Sequence, residues 1–145
     1  MLWRSKVLPD KYTLKFTRPS VEDFLQLRKQ VGWDDLDENL VEVSLNNSLF
    51  HVTVWLNSQL IGMARVVGDD AMYFYIQDFI VHPDYQNLGL GKVLMSKVEG
   101  YLFESANKGA TIGLLAARGK ESFYGHYGYT KRPNDKLGHG MCKLM

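Results

Sequence analysis

The stretch from Val81 to Lys92 constrains this chain most, because an apolar strand pattern ends there, a short loop follows and two glycines open a helical pattern. Glycine lets a backbone approach a ligand closely and expose successive N–H groups. The first turn of a helix adds unpaired N–H donors and a partial positive charge. Gly89 and Gly91 at this helix start therefore predict an anion site, and a pyrophosphate is a natural guest.

Two common phosphate-binding motifs do not fit these residues. A P-loop requires Ser or Thr after its Gly-Lys pair and a glycine separated from that pair by four residues, but Val93 follows Lys92 and position 86 is Gln86. A dinucleotide fingerprint requires a third small residue, and that position holds Leu94. Glycines at a helix start are equally compatible with no ligand at all, so the identity of the anion depends on the wider pattern.

The hydrophobic periodicity of the whole chain predicts an α/β fold with a mixed sheet. The predicted order is β-α-α-β-β-β-α-β-α-β, with one more strand near the C-terminus. Helices are predicted after the N-cap residue Ser20 and at about 37–46, 90–106 and 120–127. Strands are predicted at 12–17, 50–56, 60–67, 71–81, 111–116, 129–131 and 140–144.

Composition excludes several classes of protein. The 145 residues fit a single domain, and 17 basic against 16 acidic residues argue against a dedicated nucleic-acid binder. No run approaches the roughly 20 apolar residues of a membrane span, and residues 1–6 do not look like a signal peptide, so we expect a soluble cytoplasmic protein. The single cysteine, Cys142, excludes an intrachain disulfide and lacks a matched histidine for covalent catalysis.

Gln86-x-x-Gly89-x-Gly91, preceded by Val81-x-Pro83, resembles the acetyl-CoA-binding motif of the GNAT N-acetyltransferase superfamily, Arg/Gln-x-x-Gly-x-Gly/Ala. The resemblance implies a single domain over residues 1–145, with a mixed, mostly antiparallel central sheet of six or seven strands flanked by about four helices. It also implies acetyl-CoA as co-substrate and no metal.

A second element of the same family follows on the helix after the fifth strand. Phe123-Tyr124-x-x-x-Gly128-Tyr129 stands in the family order and at a family-like distance from the first motif. The resemblance therefore spans about residues 52–129. It implies that Tyr124 lies beside the cofactor sulfur as general acid, because a phenol of pKa about 10 can donate to an adjacent, desolvated thiolate of pKa about 8.5. The alternative is a core aromatic residue on an amphipathic helix.

The resemblance also assigns the cofactor contacts. The backbone N–H groups of residues 87–92 would hold the pyrophosphate, and the end of the fourth strand would pair its backbone with the pantetheine arm. The family strand usually carries a bulge here, which the sequence alone does not show. The implied cofactor-binding residues are Phe79, Ile80, Val81, Gln86, Asn87, Leu88, Gly89, Leu90, Gly91 and Lys92.

The catalytic base is less specified than the acid. Asp78 stands in an otherwise apolar run, where a carboxylate is costly unless it is paired or functional, so we expect a base or an amine anchor. A structural hydrogen bond, or a water relay as the base, is the alternative. Trp33, between the first two helices, and Tyr73 and Tyr75 are predicted to line the acceptor pocket, with packing as the alternative role.

The implied reaction is direct attack by a primary amine of a small molecule or peptide on acetyl-CoA in a ternary complex. No nucleic-acid or membrane partner is expected, and a homodimer stays open. One alternative is a non-catalytic CoA-binding or sensor module on the same fold. Another is a nucleotide-binding domain that uses Gly89 and Gly91 for a different phosphate ligand.

Overall fold

The computed structural model describes residues 8–145. This part of the chain forms two compact units, one ending at Gly113 and one running from Leu114 to Met145. Residues 1–6, which were predicted not to form a signal peptide, lie outside the described residues. The single-domain expectation stays a prediction.

The described residues form a mixed sheet of five strands with four α-helices. A one-turn 3-10 helix at Pro83–Tyr85 joins the fourth strand to the third helix. In chain order the elements are β1 (Tyr12–Lys15), α1 (Val21–Gln30), α2 (Glu38–Asn46), β2 (Phe50–Leu56), β3 (Gln59–Gly68), β4 (Tyr73–Val81), α3 (Leu90–Ser105), β5 (Thr111–Leu114) and α4 (Glu121–Gly125).

The strands follow one another across the sheet in the order β1-β2-β3-β4-β5, and the pairs β1–β2, β2–β3 and β3–β4 are antiparallel. The prediction of six or seven strands is wrong, because residues 129–131 and 140–144 form no strand. A strand is stable when it pairs its backbone and buries one face. Met141 and Leu144 are about nine-tenths exposed, so the last segment buries no apolar face.

Side-chain caps fix the starts of the first two helices. Ser20 Oγ accepts a hydrogen bond from the Asp23 N–H at 3.1 Å, and Asp37 Oδ1 accepts one from the Leu40 N–H at 3.0 Å. These oxygens satisfy N–H groups that have no partner within the helix. The predicted N-cap at Ser20 and the predicted helix at about 37–46 are confirmed.

Both faces of the sheet are covered in the first unit. On one face, α1 and α2 contribute to a core that includes Met63 of β3 and Ile80 of β4. On the other face, α3 packs on β2 and β3, and a Cβ added at Gly62 of β3 would lie 3.3 Å from Leu94 Cδ1. Burial on both faces explains why β2 and β3 are almost continuously apolar instead of alternating.

The pairing of β3 with β4 contains a bulge. Met63 pairs with Ile80 and Arg65 with Gln77, so two steps along β3 match three along β4. The extra residue lies in β4 at about Asp78, whose φ of 51° is rare for a residue other than glycine. The bulge that the sequence left open is therefore present.

Candidate active site

The loop after β4 is tied back to the strand that precedes it. His82 caps the 3-10 turn, since its Nδ1 accepts a hydrogen bond from the Asp84 N–H at 3.1 Å. The Gln86 side chain donates from Nε2 to the Val81 carbonyl oxygen at 3.0 Å. Gln86 thus closes the loop on the strand end, which positions the helix start that follows.

The first turn of α3 has the geometry of an anion site. Gly89 caps the helix with φ 87° and forms no side-chain cap bond. The Val93 N–H donates to the Gly89 carbonyl oxygen at 3.2 Å, so the N–H groups of residues 90–92 precede the first intrahelical bond. Asn87, with φ 64°, and the 58% exposed Leu88 lie at the surface. No cap side chain therefore uses the donors that a bound anion needs.

Asp78 is buried and ion-paired. Its side chain is 2% exposed, with Oδ2 at 2.7 Å from Arg65 Nε and Oδ1 at 3.3 Å from Arg28 Nη1. Regular alternation from Gln77, which lies opposite Arg65, would point Asp78 to the other face of the sheet. The bulge instead lets this carboxylate reach Arg65. Its predicted catalytic role stays a prediction, and the ion pairs give it a structural task as well.

Arg65 is fully engaged. Its Nη1 donates to the Ser44 carbonyl oxygen at 3.0 Å and to Ser48 Oγ at 2.9 Å, and its Nη2 donates to Ser44 Oγ at 3.0 Å. Together with the Asp78 bond, every guanidinium nitrogen has a partner. The side chain therefore ties the C-terminal end of α2 to the sheet as a paired buried cation.

Arg28 is much less well satisfied than Arg65. Its two hydrogen bonds within the described residues are long, 3.3 Å to Asp78 and 3.5 Å to the Asp34 carbonyl oxygen. Its Nε is buried and has no partner in residues 8–145. The guanidinium carbon lies 5.0 Å from the ring centre of Trp33 and 5.6 Å from that of Phe24. Aromatic faces rather than hydrogen bonds hold this cation.

A cavity of about 310 Å³ lies between the first two helices and strands β3 and β4. Its polar side contains Arg28, Arg65 and Asp78, whose formal charges sum to +1. Neither arginine was predicted from the sequence as a site residue. A buried ion pair could have been predicted for Arg65, because Arg65 and Asp78 are opposite charges within two apolar runs that were predicted as neighbouring strands. The remaining lining residues are Phe24, Leu36, Leu40, Val41, Ser44, Leu45 and Gln77.

The three predicted acceptor residues do not line this cavity. Trp33 lies beside it, stacked on the lining residue Arg28. Tyr73, at the start of β4, is 58% exposed, and the half-buried Tyr75 lies next to Gly113 of β5. The substrate role of all three stays a prediction.

In the second unit, the motif around Tyr124 is a helix-ending structure. The Tyr129 N–H donates to the Tyr124 carbonyl oxygen at 3.3 Å, and the Gly128 N–H donates to that of Gly125 at 3.1 Å. With Gly128 at φ 90°, these two bonds form a Schellman motif. Gly128-Tyr129 after Tyr124 is thus explained by the local backbone.

The Tyr124 side chain is 8% exposed and surrounded by other aromatic rings. Its ring centre lies 5.1 Å from that of Phe123 and 6.4 Å from that of Tyr129, both edge to face. Burial raises the pKa of the Tyr124 phenol to about 12. The phenol therefore keeps its proton at neutral pH and can act as a hydrogen-bond donor.

Two further reactive side chains of the described residues lie at the surface. His126 and Cys142 are exposed. Within residues 8–145, no cluster of three or more His, Cys, Asp or Glu side chains is placed to hold a metal ion. No helix in the same part of the chain is both long and apolar enough to cross a membrane.

The sequence profile of the acetyltransferase (GNAT) domain matches residues 18–143. The chain belongs to the GNAT acetyltransferase family. An uncharacterized N-acetyltransferase, ycf52-like, from Prochlorococcus marinus is 39% identical over 132 residues, which are 86% of this chain and 72% of that protein. This GNAT protein is therefore an acyltransferase with N-acetyltransferase activity, and acetyltransferases of the family use acetyl-CoA.

Solved structures agree with this assignment. SA2161 from meticillin-resistant Staphylococcus aureus is 28% identical with a TM-score of 0.84, over 92% of this chain and 99% of that one. The GNAT family acetyltransferase SP0256 from Streptococcus pneumoniae TIGR4 is 28% identical with a TM-score of 0.75, over 92% and 98%. The resemblance found in the two sequence motifs is confirmed.

Proposed function

We propose that this GNAT protein moves the acetyl group of acetyl-CoA directly to a primary amine of a small molecule or peptide in a ternary complex. The observation that carries the proposal is the first turn of α3, which is capped by Gly89 and leaves its backbone donors unused by any cap side chain. A diphosphate fits such a turn because it accepts several N–H bonds and is attracted by the helix dipole.

The cofactor contacts follow from the order of the elements. Backbone N–H groups of residues 87–92 would bind the pyrophosphate, with Gln86 holding the loop in place through Val81. Residues 79–81, between the bulge and the loop, would offer their backbone to the pantetheine arm. Acetyl-CoA supplies the activated thioester, and the chain supplies position and proton control.

We assign Tyr124 as the donor to the departing sulfur. A pKa of about 12 keeps the phenol protonated at neutral pH, but also makes it a weaker acid than a free thiol of pKa about 8.5. Full proton transfer therefore requires that the thiolate be desolvated too. A hydrogen bond from the phenol to the developing charge lowers the barrier even without full transfer.

For the amine proton, two assignments compete. Asp78 lines the cavity and was predicted as the base or amine anchor, yet both of its oxygens already accept from guanidinium groups. We favour the structural task for Asp78 and a water relay for the proton. A general base must be free to reach the proton that it removes, and this carboxylate is engaged on both sides.

The experiment is an assay of free thiol release from acetyl-CoA across a panel of primary amines. We expect amine-dependent release with one acetylated product per thiol. Tight acetyl-CoA binding without release on any amine would instead support the CoA-binding or sensor alternative. Calorimetric titration with acetyl-CoA, ATP and NAD tests ligand binding at the first turn of α3. Preference for ATP or NAD would contradict the proposal.

A further inference from the structure

The side chains that line the cavity between α1, α2, β3 and β4 carry one positive charge that no acidic lining residue balances. Arg65 and Asp78 form a short pair at 2.7 Å and cancel. Arg28 shares Asp78 only through a 3.3 Å contact, so its charge is the local excess. Exposed acidic residues on the loop between the helices act through water and salt, which screen them over about 8 Å. The charge within the cavity walls is therefore decided by Arg28.

Arg28 also has spare hydrogen-bonding capacity. A guanidinium carries five N–H donors, and Arg28 uses two of them within residues 8–145, both in long bonds. Its side chain is 14% exposed and lines the cavity, so it remains accessible there. The rings of Trp33 and Phe24 have their centres 5.0 and 5.6 Å from the guanidinium carbon and offer it no oxygen acceptor, so they leave its N–H donors for a ligand. Planar forks of this kind match a carboxylate with two parallel bonds.

We propose that the acetyl acceptor is an amine that also carries a carboxylate, and that Arg28 binds this carboxylate. The inference rests on the proposed function and names the substrate class of the same site. One uncompensated positive charge matches a single carboxylate better than a dianion. A cavity of about 310 Å³ is at the lower end of ligand-pocket volumes and suits a molecule of amino-acid size, or one terminal residue of a peptide.

The kinetic test compares matched amines that differ only in the carboxylate, for example an α-amino acid against its amide and its decarboxylated amine. With the wild-type protein we expect kcat/KM to favour the carboxylate member by about 10- to 100-fold, the range of a charge-assisted hydrogen bond. Arg28→Gln should remove most of this preference while changing the KM for acetyl-CoA little. Preference for the neutral member would overturn the inference.

Two matched variants separate recognition from folding and from net charge. Arg28→Lys keeps the cation but loses the fork, so the preference should fall about tenfold in a folded protein. Lys29→Gln removes the same charge from the exposed neighbouring position of α1 and should leave the preference unchanged. An equal loss in Lys29→Gln and Arg28→Gln would show a general charge effect and contradict the assignment.

A binding readout keeps this inference distinct from the proposed activity. Calorimetry should show that an N-acetylated amino acid binds the wild-type protein at least tenfold more tightly than its amide, and that Arg28→Gln removes the difference. If binding follows this pattern while no amine is acetylated, the proposed function fails and the carboxylate site stands. Equal binding of the N-acetylated amino acid and its amide would contradict the carboxylate site even in an active enzyme.

Discussion

Asp78 is the residue on which the charged cluster of the first unit depends. Its carboxylate faces two guanidinium groups, and its backbone adopts a φ of 51°. Asparagine tolerates this left-handed conformation at least as well as aspartate, so Asp78→Asn changes the charge with little backbone cost. That substitution therefore isolates the electrostatic task of the side chain.

We expect Asp78→Asn to lower the free energy of unfolding by about 3–5 kcal/mol, because a buried pair that loses one partner leaves an uncompensated charge. Urea unfolding measures this loss. Asp35→Asn, at an exposed position, is the control and should stay within about 0.5 kcal/mol. A loss below about 1 kcal/mol would remove the structural role, and activity that recovers with rising pH in the variant would favour the base role.

Tyr124→Phe tests the proposed proton donor without a change of shape. We expect turnover to fall about 10²-fold, in line with loss of a general acid, while the Kd for acetyl-CoA stays near the wild-type value. Single-turnover kinetics and calorimetry measure the two quantities. Tyr127→Phe, in the same aromatic cluster, is the matched control. Equal effects in the two variants would count against a specific role for Tyr124.

At the scale of elements, the start of α3 requires the conformational freedom of Gly89, and a substitution there tests this requirement. Gly89→Val places a branched side chain at φ 87°, a conformation that costs an L-residue about 1–2 kcal/mol. The added side chain also occupies space at the proposed pyrophosphate site. We expect acetyl-CoA affinity to fall at least tenfold.

Gly100→Ala is the control within the same helix, because a Cβ there meets no atom within 4 Å. It should raise stability by about 0.5–1 kcal/mol and keep the affinity. Unchanged acetyl-CoA affinity in Gly89→Val would remove this turn from the cofactor site.

An element can be predicted from sequence when residues close together in the chain determine it. Caps such as Ser20 and the periodicity of α3 are local, and their elements lie where predicted. The bulge at Asp78 is not local, because it depends on the register between β3 and β4. The residues around Met141 were predicted as a strand from composition, but a strand also needs a partner edge, which sequence does not provide.

The candidate site divides in the same way. The proposed cofactor turn lies in one continuous stretch of sequence, so sequence alone could predict it, and its role in binding the cofactor stays a prediction. The cavity joins Arg28 of α1, Ser44 of α2, Arg65 of β3 and Asp78 of β4, which are far apart in the chain. Only the fold brings them together, so sequence periodicity indicated Asp78 alone.

At the scale of the whole molecule, stability should depend on alkaline pH through Tyr124. Its pKa is about 12 in the folded chain against an ordinary value of 10.0. Below pH 10 both folded and unfolded states keep the proton, so the full stability is present. Between pH 10 and 12 the unfolded state loses the proton first, and stability falls as pH rises.

We expect the free energy of unfolding of the wild-type protein to lose about 1.4 kcal/mol more than that of Tyr124→Phe between pH 9 and pH 11. Urea unfolding at the two pH values measures this difference. The two proteins differ only at this hydroxyl, so contributions from all other groups cancel. Parallel losses in the two proteins would mean that Tyr124 is not buried as described.

The bulge in β4 also limits how this strand can vary. Deleting Phe79 would restore the regular pleat, place Asp78 opposite Ala64 and turn the carboxylate toward the side where α3 packs, among side chains such as Leu94. Arg65 and Arg28 would then face each other without a counter-charge. Deletion of Phe79 should therefore destabilise the fold even where every strand pair is kept, so the charge of Asp78 constrains the register of β4.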